Sequence, residues 1–352
     1  MKNACLKKLI CLARPWIPLH ASTNRFLIVA TTALGDTLWA TAAIESIKKE
    51  RPDCHLAVLT SPIGMEILRY NPYVNQLFIM KEPLSKYFFS LRKKLFQERF
   101  DTVLLFHASQ RLALPLCSLI GAKKIIGTCG INKGLDDLLT HPLPNHFQHE
   151  ITRRLALIQA VGIVPSVETL SIHLLPHETL PPRGKGPWIA LHPGSKDAFK
   201  RWPKEHFIEL GRRLKKTRDC EILITGSTQE LALTKAVAAA IPGAHLDPPD
   251  RPLREFAALL SQMDLLISND TGPVHLACAL NRPVIALYAS TDPALCGPHK
   301  AKLAHVIARR ATCDPCLKRK CRLPFCLMQI GPEEVLQAVN LFVPGEGTKS
   351  EC

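Results

Sequence analysis

One stretch of the sequence, DLLISNDTGPVHLACAL, runs from an apolar segment into Asp270, Thr271 and Gly272 and then into an Ala-rich segment. This pattern predicts a strand that ends where a helix begins. The free N–H groups and positive dipole end of such a helix favour a phosphate. Gly272 lets the backbone approach a ligand, and Thr271 adds a hydroxyl donor. Asp270 would repel a phosphate, so we expect it to accept from sugar hydroxyls; helix capping is the structural alternative.

Two further junctions have the same design. In VATTALGDTLWATAAI, Gly35 permits a tight turn and Asp36 is either a helix cap or a catalytic base. In LHPGSKDAFKRWPKEHF, Ser195 follows a strand and a basic loop containing Lys200 comes next, which suits a diphosphate. A merely solvated loop is less favoured there, because Trp202 would anchor it. The dinucleotide fingerprint, the Walker A motif and the G-x-S-x-G elbow are absent.

The elements that position these junctions follow a regular alternation. From Arg25 onward, apolar strands alternate with helical stretches, which is typical of a parallel sheet covered on both faces. LLPHETLPPRGKGP interrupts the pattern, which then restarts. The sequence therefore predicts two doubly wound α/β domains facing a central cleft, with ligands at the carboxyl ends of the strands. The expected divisions are a basic extension at 1–24, an N-terminal domain at 25–175, a linker at 176–187, a C-terminal domain at 188–330 and a helix and tail at 331–352.

The charge of the chain favours an anionic partner. Its 352 residues include 45 Lys and Arg against 30 Asp and Glu, a formal net charge of +15. Zinc-finger spacing and RNP-type aromatic strands are absent, so nucleic acid is not expected. The start, MKNACLKKLICLARPWIPLHAS, lacks the long apolar centre of a signal peptide. It predicts either a basic amphipathic helix on a membrane surface or a frayed tail.

Cysteine usage leaves alternatives open. The sequence has 13 Cys and no secretion signal, which favours a reducing cytoplasm. Four of them follow a C-x2-C-x4-C-x4-C spacing, and packed thiols, a structural metal and a redox pair all fit that spacing. These four are Cys313, Cys316, Cys321 and Cys326.

The three junctions, in this order and spacing, resemble glycosyltransferase family 9, the ADP-heptose:lipopolysaccharide heptosyltransferases. The resemblance runs from about Arg25 to about Phe342. The matching pieces are LGDTLWATAAIESIKKERPDCHLAVLTSPIGMEILRYNPYV, ALHPGSKDAFKRWPKEHFIEL, ISNDTGPVHLACALNRPVIALYASTDP and CDPCLKRKCRLPFCLMQIGPEEV.

The resemblance implies a GT-B fold with the active site between two Rossmann-like domains, and inverting transfer without a metal or other cofactor. It makes Asp36 the general base on the acceptor hydroxyl and Lys200 a contact of the donor's phosphate or ribose. Where the family has two hydroxyl residues near the diphosphate, this chain has Gly194 and Ser195, so only Ser195 supplies a hydroxyl. The implied donor-binding residues are Ser195, Lys200, Glu230 at the ribose, Asp270 at the sugar, Thr271 and Gly272 at the phosphate, and His275.

The function implied is transfer of heptose from ADP-L-glycero-D-manno-heptose to the inner core of lipopolysaccharide, at a Kdo or heptose acceptor. The enzyme would be a cytoplasmic monomer, peripheral on the inner face of the membrane, with an anionic glycolipid acceptor. One alternative is a GT-B transferase with another nucleotide sugar or a protein acceptor. Another is a non-catalytic nucleotide-sugar-binding protein, which Asp36 disfavours because binding needs no base.

Overall fold

A computed structural model describes residues 2–21, 24–178, 186–321 and 324–344, except for the side chain of Lys2. The chain divides into two compact units, Met1–His173 and Leu174–Cys352. Of the expected linker, residues 179–185 lie outside the described part, as does the tail from 345. No helix in the described ranges is long and apolar enough to cross a membrane.

The first unit is built on six parallel strands, and the apolar runs of the sequence form its central ones. All residues of the first strand except Arg25 are buried. The strands are β1 (Arg25–Ala30), β2 (His55–Thr60), β3 (Gln76–Ile79), β4 (Thr102–His107), β5 (Lys124–Thr128) and β6 (His141–Leu143). Their order in the sheet is β3-β2-β1-β4-β5-β6.

Helices cover this sheet. They are α1 (Lys2–Ala13), α2 (Leu34–Glu50), α3 (Pro62–Leu68), α4 (Leu84–Gln97), α5 (Ala113–Ser118) and α6 (Glu150–Gln159). One apolar cluster joins Leu27 and Val29 of β1 to α1, α4 and α5. Alternate residues of a strand point to opposite faces of the sheet. α2 contacts β1 and β2, and it also packs against α3 and α6.

The second unit repeats the plan. Its strands are β7 (Trp188–His192), β8 (Glu221–Ile224), β9 (His245–Leu246), β10 (Leu265–Asn269), β11 (Val284–Tyr288) and β12 (Ala304–Ala308). Its helices are α7 (Lys204–Thr217), α8 (Leu231–Ala240), α9 (Leu253–Leu260), α10 (Gly272–Ala279), α11 (Pro293–Cys296), α12 (Phe325–Met328) and α13 (Pro332–Val339). The strand order is β12-β11-β10-β7-β8-β9, with parallel pairing throughout.

Both sheets have the doubly wound order 3-2-1-4-5-6 when each unit is counted from its own first strand. In this order strands 1 to 3 are added toward one edge of the sheet and strands 4 to 6 toward the other, so the strand order reverses between the first and fourth strands. In such folds ligands bind in the crevice at the carboxyl ends of these two strands. The reversal lies between β1 and β4 in the first unit and between β7 and β10 in the second. The three junctions of the sequence follow β1, β7 and β10, so the fold puts each of them at a reversal point.

The first residues are ordered as a helix rather than as a frayed tail. Ile10 of α1 is buried in the core of the first unit, and Asn3 Nδ2 donates to the carbonyl of Lys133 at 2.8 Å. Lys7 forms an ion pair with Asp137. Near the beginning of the expected linker, Glu178 pairs with Arg254 through two contacts of 2.5 Å, both within the second unit.

Candidate active site

Asn269, the last residue of β10, holds together the junctions of the second unit. Its Nδ2 donates to the carbonyls of Pro193 at 2.9 Å and Gly194 at 3.1 Å. Its Oδ1 accepts from the backbone N–H of Trp202 at 2.9 Å. All of these groups are buried, where an unpaired amide would cost free energy. One side chain thereby fixes both ends of the basic loop that carries Lys200.

Asp270 holds the ammonium of Lys200 at the start of α10. Lys200 Nζ lies 2.6 Å from Asp270 Oδ2, and both side chains are largely buried. The hydroxyl of Thr291 donates to the same oxygen. Burial raises the pKa of the neighbouring Tyr288 hydroxyl well above its usual value, and the charge of Asp270 raises it further. Because Lys200 neutralises Asp270, the carboxylate no longer opposes an anionic ligand at this point.

The start of α10 has no side-chain cap. Thr271 occupies the N-cap position in an extended conformation, but its side chain makes no capping hydrogen bond, and Gly272 and Pro273 form the first turn. The carboxylate of Asp270 is directed to Lys200 and Thr291 instead. The capping role considered from the sequence is therefore not what these side chains do. Uncapped N–H groups at the start of a helix are suited to an anion, and here the Lys200 ammonium lies near them.

The remaining expected donor residues lie deeper in the unit. Glu230 is buried and its Oε2 accepts from the N–H of Ser227 at 2.9 Å and from its hydroxyl at 2.8 Å. Glu230 also lies against Gly194, at the end of β7. Ser195 is buried, and its carbonyl accepts from Arg201 Nε at 2.8 Å. His275 is buried in the first turn of α10.

His192 ends β7 beneath this site. Its Nδ1 is 2.9 Å from the hydroxyl of Thr225. Burial lowers the pKa of His192 to about 4, although the carboxylate of Glu230 acts in the opposite direction. His192 is therefore neutral at physiological pH and serves the site as a hydrogen-bonding group rather than as a cation.

In the first unit, Asp36 lies in the first turn of α2, after β1. Its Oδ2 accepts from the N–H of Ala33 at 3.3 Å, so part of the capping alternative holds. Its Oδ1 is 3.2 Å from Arg154 Nη2. The Asp36 side chain keeps about a fifth of its surface exposed. A carboxylate that is fixed through both oxygens and still partly exposed can accept a proton from a substrate.

Arg154 of α6 is the group that orients Asp36. It is 1% exposed and lies over the ring of Trp39, with Cζ 5.3 Å from the ring centroid. A second carboxylate, Glu150, lies 2.7 Å from Arg154 Nη1. A guanidinium that is buried between two carboxylates is held from two sides, because a buried charge is costly unless it is paired and hydrogen-bonded.

The four closely spaced cysteines surround one pocket. Cys313, Cys316, Cys321 and Cys326 line it together with Phe199 and Ser290, which neighbour Lys200 and Thr291 in sequence. They are free thiols. Within the described ranges, no group of three or more His, Cys, Asp or Glu side chains is placed to hold a metal ion.

A protein-family model described as glycosyltransferase family 9 (heptosyltransferase) matches residues 88–326. The chain belongs to this family. It is similar to lipopolysaccharide heptosyltransferase 3 of Escherichia coli, at 25% identity over 338 residues that cover 89% of this chain and 98% of the relative. Two similar solved structures are the glycosyl transferase family 9 from Veillonella parvula DSM 2008 and E. coli heptosyltransferase WaaC with ADP.

The Veillonella structure is 20% identical with a TM-score of 0.80, and covers 92% of this chain and 98% of its own. The E. coli structure is 19% identical with a TM-score of 0.72, and covers 91% of this chain and 100% of its own. Family membership confirms the expectation of a glycosyltransferase. The likeness to solved structures, with the two parallel six-stranded sheets, confirms the GT-B fold class.

Sequence reasoning missed three residues of the site. Asn269 stands inside the quoted motif, and its place beside Asp270 at a strand end was the available signal. Arg154 is 118 residues from Asp36, and Thr291 is 21 residues from Asp270. Neither has a local pattern that marks it, because only the fold brings it to its partner.

Proposed function

We propose that the chain is an inverting heptosyltransferase that moves heptose from ADP-L-glycero-D-manno-heptose to the inner core of lipopolysaccharide. Family membership and a relative named lipopolysaccharide heptosyltransferase 3 support the reaction class. The similar structure of E. coli heptosyltransferase WaaC with ADP supports the nucleotide. The observation that carries the proposal is the Lys200–Asp270 pair of 2.6 Å beside the uncapped start of α10. It supplies a cation and free N–H groups where a sugar diphosphate needs them.

In this proposal, the second unit binds the donor and stabilises the leaving group. Thr271, Gly272 and the first amides of α10 bind the diphosphate, and Ser195 adds a hydroxyl donor. Lys200 keeps its pair with Asp270 and offsets negative charge as it develops on the phosphate, while Asp270, neutralised in this way, accepts from the heptose hydroxyls. Glu230 accepts from the ribose hydroxyls. His275 supports the first turn of α10 from inside.

Asp36 acts as the general base. The acceptor hydroxyl attacks the anomeric carbon of heptose while its proton passes to the carboxylate of Asp36. The bond from that carbon to the phosphate oxygen breaks, and ADP leaves from the opposite face, so the configuration inverts. Arg154 is a positioning residue here. It holds Oδ1 while Oδ2 accepts from the N–H of Ala33, so the Asp36 carboxylate is fixed through both oxygens and takes the proton on a remaining lone pair.

The acceptor is an anionic glycolipid at the cytoplasmic face of the inner membrane, and the enzyme is a peripheral monomer there. Leu9, Leu12 and Trp16 form an apolar stripe on one side of α1 and the turn that follows, with Lys8 also exposed and Arg14 half-buried. Trp16 is 87% and Leu12 70% exposed. An apolar stripe with basic neighbours suits the interface of an anionic bilayer.

The experiment that tests the function is an assay with purified full-length protein, a panel of nucleotide sugars and lipid A–core acceptor, read by mass spectrometry. We expect an acceptor mass increase of one heptose with the ADP-linked donor only. Transfer of another sugar would show that the donor assignment is wrong. Donor binding without any turnover would identify a non-catalytic binding protein. Acceptor extracted from cells with and without this chain gives the same comparison in vivo.

A further inference from the structure

The carboxylate of Asp270 is held by a strand–helix junction beyond the three singled out from the sequence. β11 pairs with β10 and ends at Tyr288, and the stretch YASTDP leads from it into the short helix α11. The N–H of Asp270 donates to the carbonyl of Leu287 at 3.1 Å. The backbone of Asp270 is therefore tied to β11, and the residues that follow β11 lie next to its side chain.

Thr291 stands in this stretch, one residue before the N-cap of α11. The Asp292 side chain accepts from the N–H of Ala294 at 2.8 Å, and Pro293 lies in the first turn. A side-chain cap and a proline at the start of a helix fix the backbone at that point. The hydroxyl of Thr291 therefore reaches Asp270 from a backbone position that is itself held in place.

Two donors converge on one oxygen of Asp270. Lys200 Nζ lies 2.6 Å from Oδ2, and the hydroxyl of Thr291 donates to the same atom. A carboxylate oxygen has two lone pairs, so these two donors fill Oδ2. The hydroxyl groups of a bound sugar are then left with Oδ1, and the bonds at Oδ2 set the direction in which Oδ1 points.

Tyr288 closes the buried side of the carboxylate. It is completely buried, and its hydroxyl donates to the carbonyl of Cys296 at 3.4 Å. Burial raises the pKa of this hydroxyl well above its usual value, and the charge of Asp270 raises it further, so Tyr288 stays neutral. Only 9% of the Asp270 side chain is exposed, and a ligand can meet it only through that small opening.

The contributions of Lys200 and Thr291 to this arrangement differ. An ammonium on a flexible four-carbon stem attracts a carboxylate as a point charge and follows it when it turns. A hydroxyl on a fixed loop accepts only one orientation of its partner. The charge of Asp270 is therefore balanced by Lys200, whereas its orientation depends on Thr291.

We propose that Thr291 is a positioning residue, which fixes the Asp270 carboxylate so that it accepts from the hydroxyls of the donor sugar. The proposal rests on the proposed function, in which Asp270 contacts the heptose. Asp270 touches the sugar, and Thr291 acts through Asp270. Because ADP has no heptose, the binding of ADP does not depend on Thr291, whereas the binding and the transfer of ADP-heptose do.

The affinities for ADP and ADP-heptose separate this role from a general disturbance of the site. Both ligands are titrated by calorimetry into full-length wild type, Thr291→Val and Thr291→Ser. The control is Thr217→Val, at an exposed threonine near the end of the second unit's first helix whose hydroxyl donates to the carbonyl of Arg213 at 2.9 Å. It removes the same hydroxyl group at a point that does not contact Asp270.

We expect the Kd for ADP-heptose to rise about tenfold or more in Thr291→Val, because a hydrogen bond to a charged group is lost and the sugar contact with it. The Kd for ADP should stay unchanged. The kcat for transfer should also fall about tenfold or more, since a sugar held off its productive position reacts more slowly. Thr291→Ser keeps the hydroxyl and should behave like wild type in all three measurements, as should Thr217→Val.

An equal rise of both Kd values in Thr291→Val would overturn the proposal, and so would unchanged affinity and kcat or an equally large loss in Thr291→Ser. If wild type neither binds nor uses ADP-heptose, the proposed function fails separately. Urea unfolding of Thr291→Val, Asp270→Ala and the double variant then still decides the contact. A coupling free energy between the two substitutions would support the hold of Thr291 on Asp270, and additive effects would overturn it.

Discussion

A β-carbon on Gly194 would lie 2.3 Å from Cδ of Glu230, so no side chain fits at position 194 while Glu230 keeps its place. The family resemblance puts a hydroxyl residue at this position, whereas this chain has Gly194 packed closely against Glu230. Glu230 occupies the space that the hydroxyl side chain would need. The two positions are therefore coupled, and a change at one of them has to be read together with the other.

Gly194→Ser should destabilise the protein by about 1–3 kcal/mol, because overpacking forces buried groups apart. In a Glu230→Ala background the same change should cost little, since the collision is removed. Urea unfolding of the four proteins gives the coupling free energy. Gly331→Ser is the control, because a β-carbon there meets nothing within 4 Å. Additive effects of the two substitutions would show that the residues do not share this space.

Asp36→Asn should lower kcat by about 10²–10⁴-fold while the Kd for ADP stays nearly unchanged, because a general base is lost and the donor is bound by other residues. Stopped assays and calorimetry measure the two quantities. Asp53→Asn, at an exposed carboxylate beyond the end of α2, is the matched control. A variant that keeps more than a tenth of the wild-type kcat would rule out Asp36 as the base.

Lys200→Ala should weaken donor binding and slow transfer, each about tenfold or more, since a charge-assisted contact to the donor is lost and Asp270 is left without its cation. Thr271→Val should act in the same direction but less strongly, because the backbone N–H groups of α10 remain. Lys204→Ala, an exposed cation at the start of α7, controls for charge. Unchanged donor affinity and rate in Lys200→Ala would remove this lysine from the site.

The buried His192 predicts a loss of stability in mild acid. Its pKa is about 4 when folded and near 6.5 when unfolded, so the unfolded chain binds an extra proton between these values. The contribution of neutral His192 to the free energy of unfolding is complete above pH 6.5 and is lost as the pH falls toward 4. At about 1.4 kcal/mol per pKa unit, the loss amounts to a few kcal/mol. Burial also lowers the pKa of His55 and His173, which act in the same direction.

Urea unfolding from pH 7 to pH 4 measures this effect as the difference between wild type and His192→Gln. The variant should lose less stability over this range than wild type, while His146→Gln, at an exposed histidine, should follow the wild-type curve. Parallel curves for wild type and His192→Gln would show that His192 is not the titrating group.

Much of this architecture could be predicted from sequence, because central strands of a parallel sheet are continuous apolar runs. The alternation predicted both sheets, and the three glycine-containing junctions do lie at reversal points. The edge strands β6, β9 and β12 were not predicted, and the first two are short. β6 is His-Pro-Leu and β9 has two residues. Such strands form because a neighbour offers hydrogen bonds, so their own residues carry little signal.

The site was predictable only where its residues stand beside one another in sequence. Thr271 and Gly272 follow an apolar run directly, which marks them. Arg154 lies in an ordinary helical stretch, EITRRLALIQ, and its neighbour Arg153 looks the same. Only the packing of α6 against α2 shows that Arg154 is buried against Asp36 while Arg153 pairs with Glu150. A long-range contact of this kind has no local pattern.

The apolar stripe of α1 predicts binding to anionic bilayers. Leu12→Gln with Trp16→Gln should reduce partition onto anionic vesicles about tenfold or more, because a fully buried side chain of this size is worth about 1.5–3 kcal/mol and two are lost. Leu341→Gln, at a similarly exposed leucine of the second unit, should not change it. Wild-type protein should ignore neutral vesicles and leave anionic ones as salt rises, since attraction to the surface is screened within a Debye length. The Kd for ADP should be equal in all of these proteins.

If wild type does not bind anionic vesicles at low ionic strength, or if the double variant binds them equally well, α1 is not the membrane contact. The competing explanation is then an assembly of chains through this stripe, which sedimentation would detect as a change of mass.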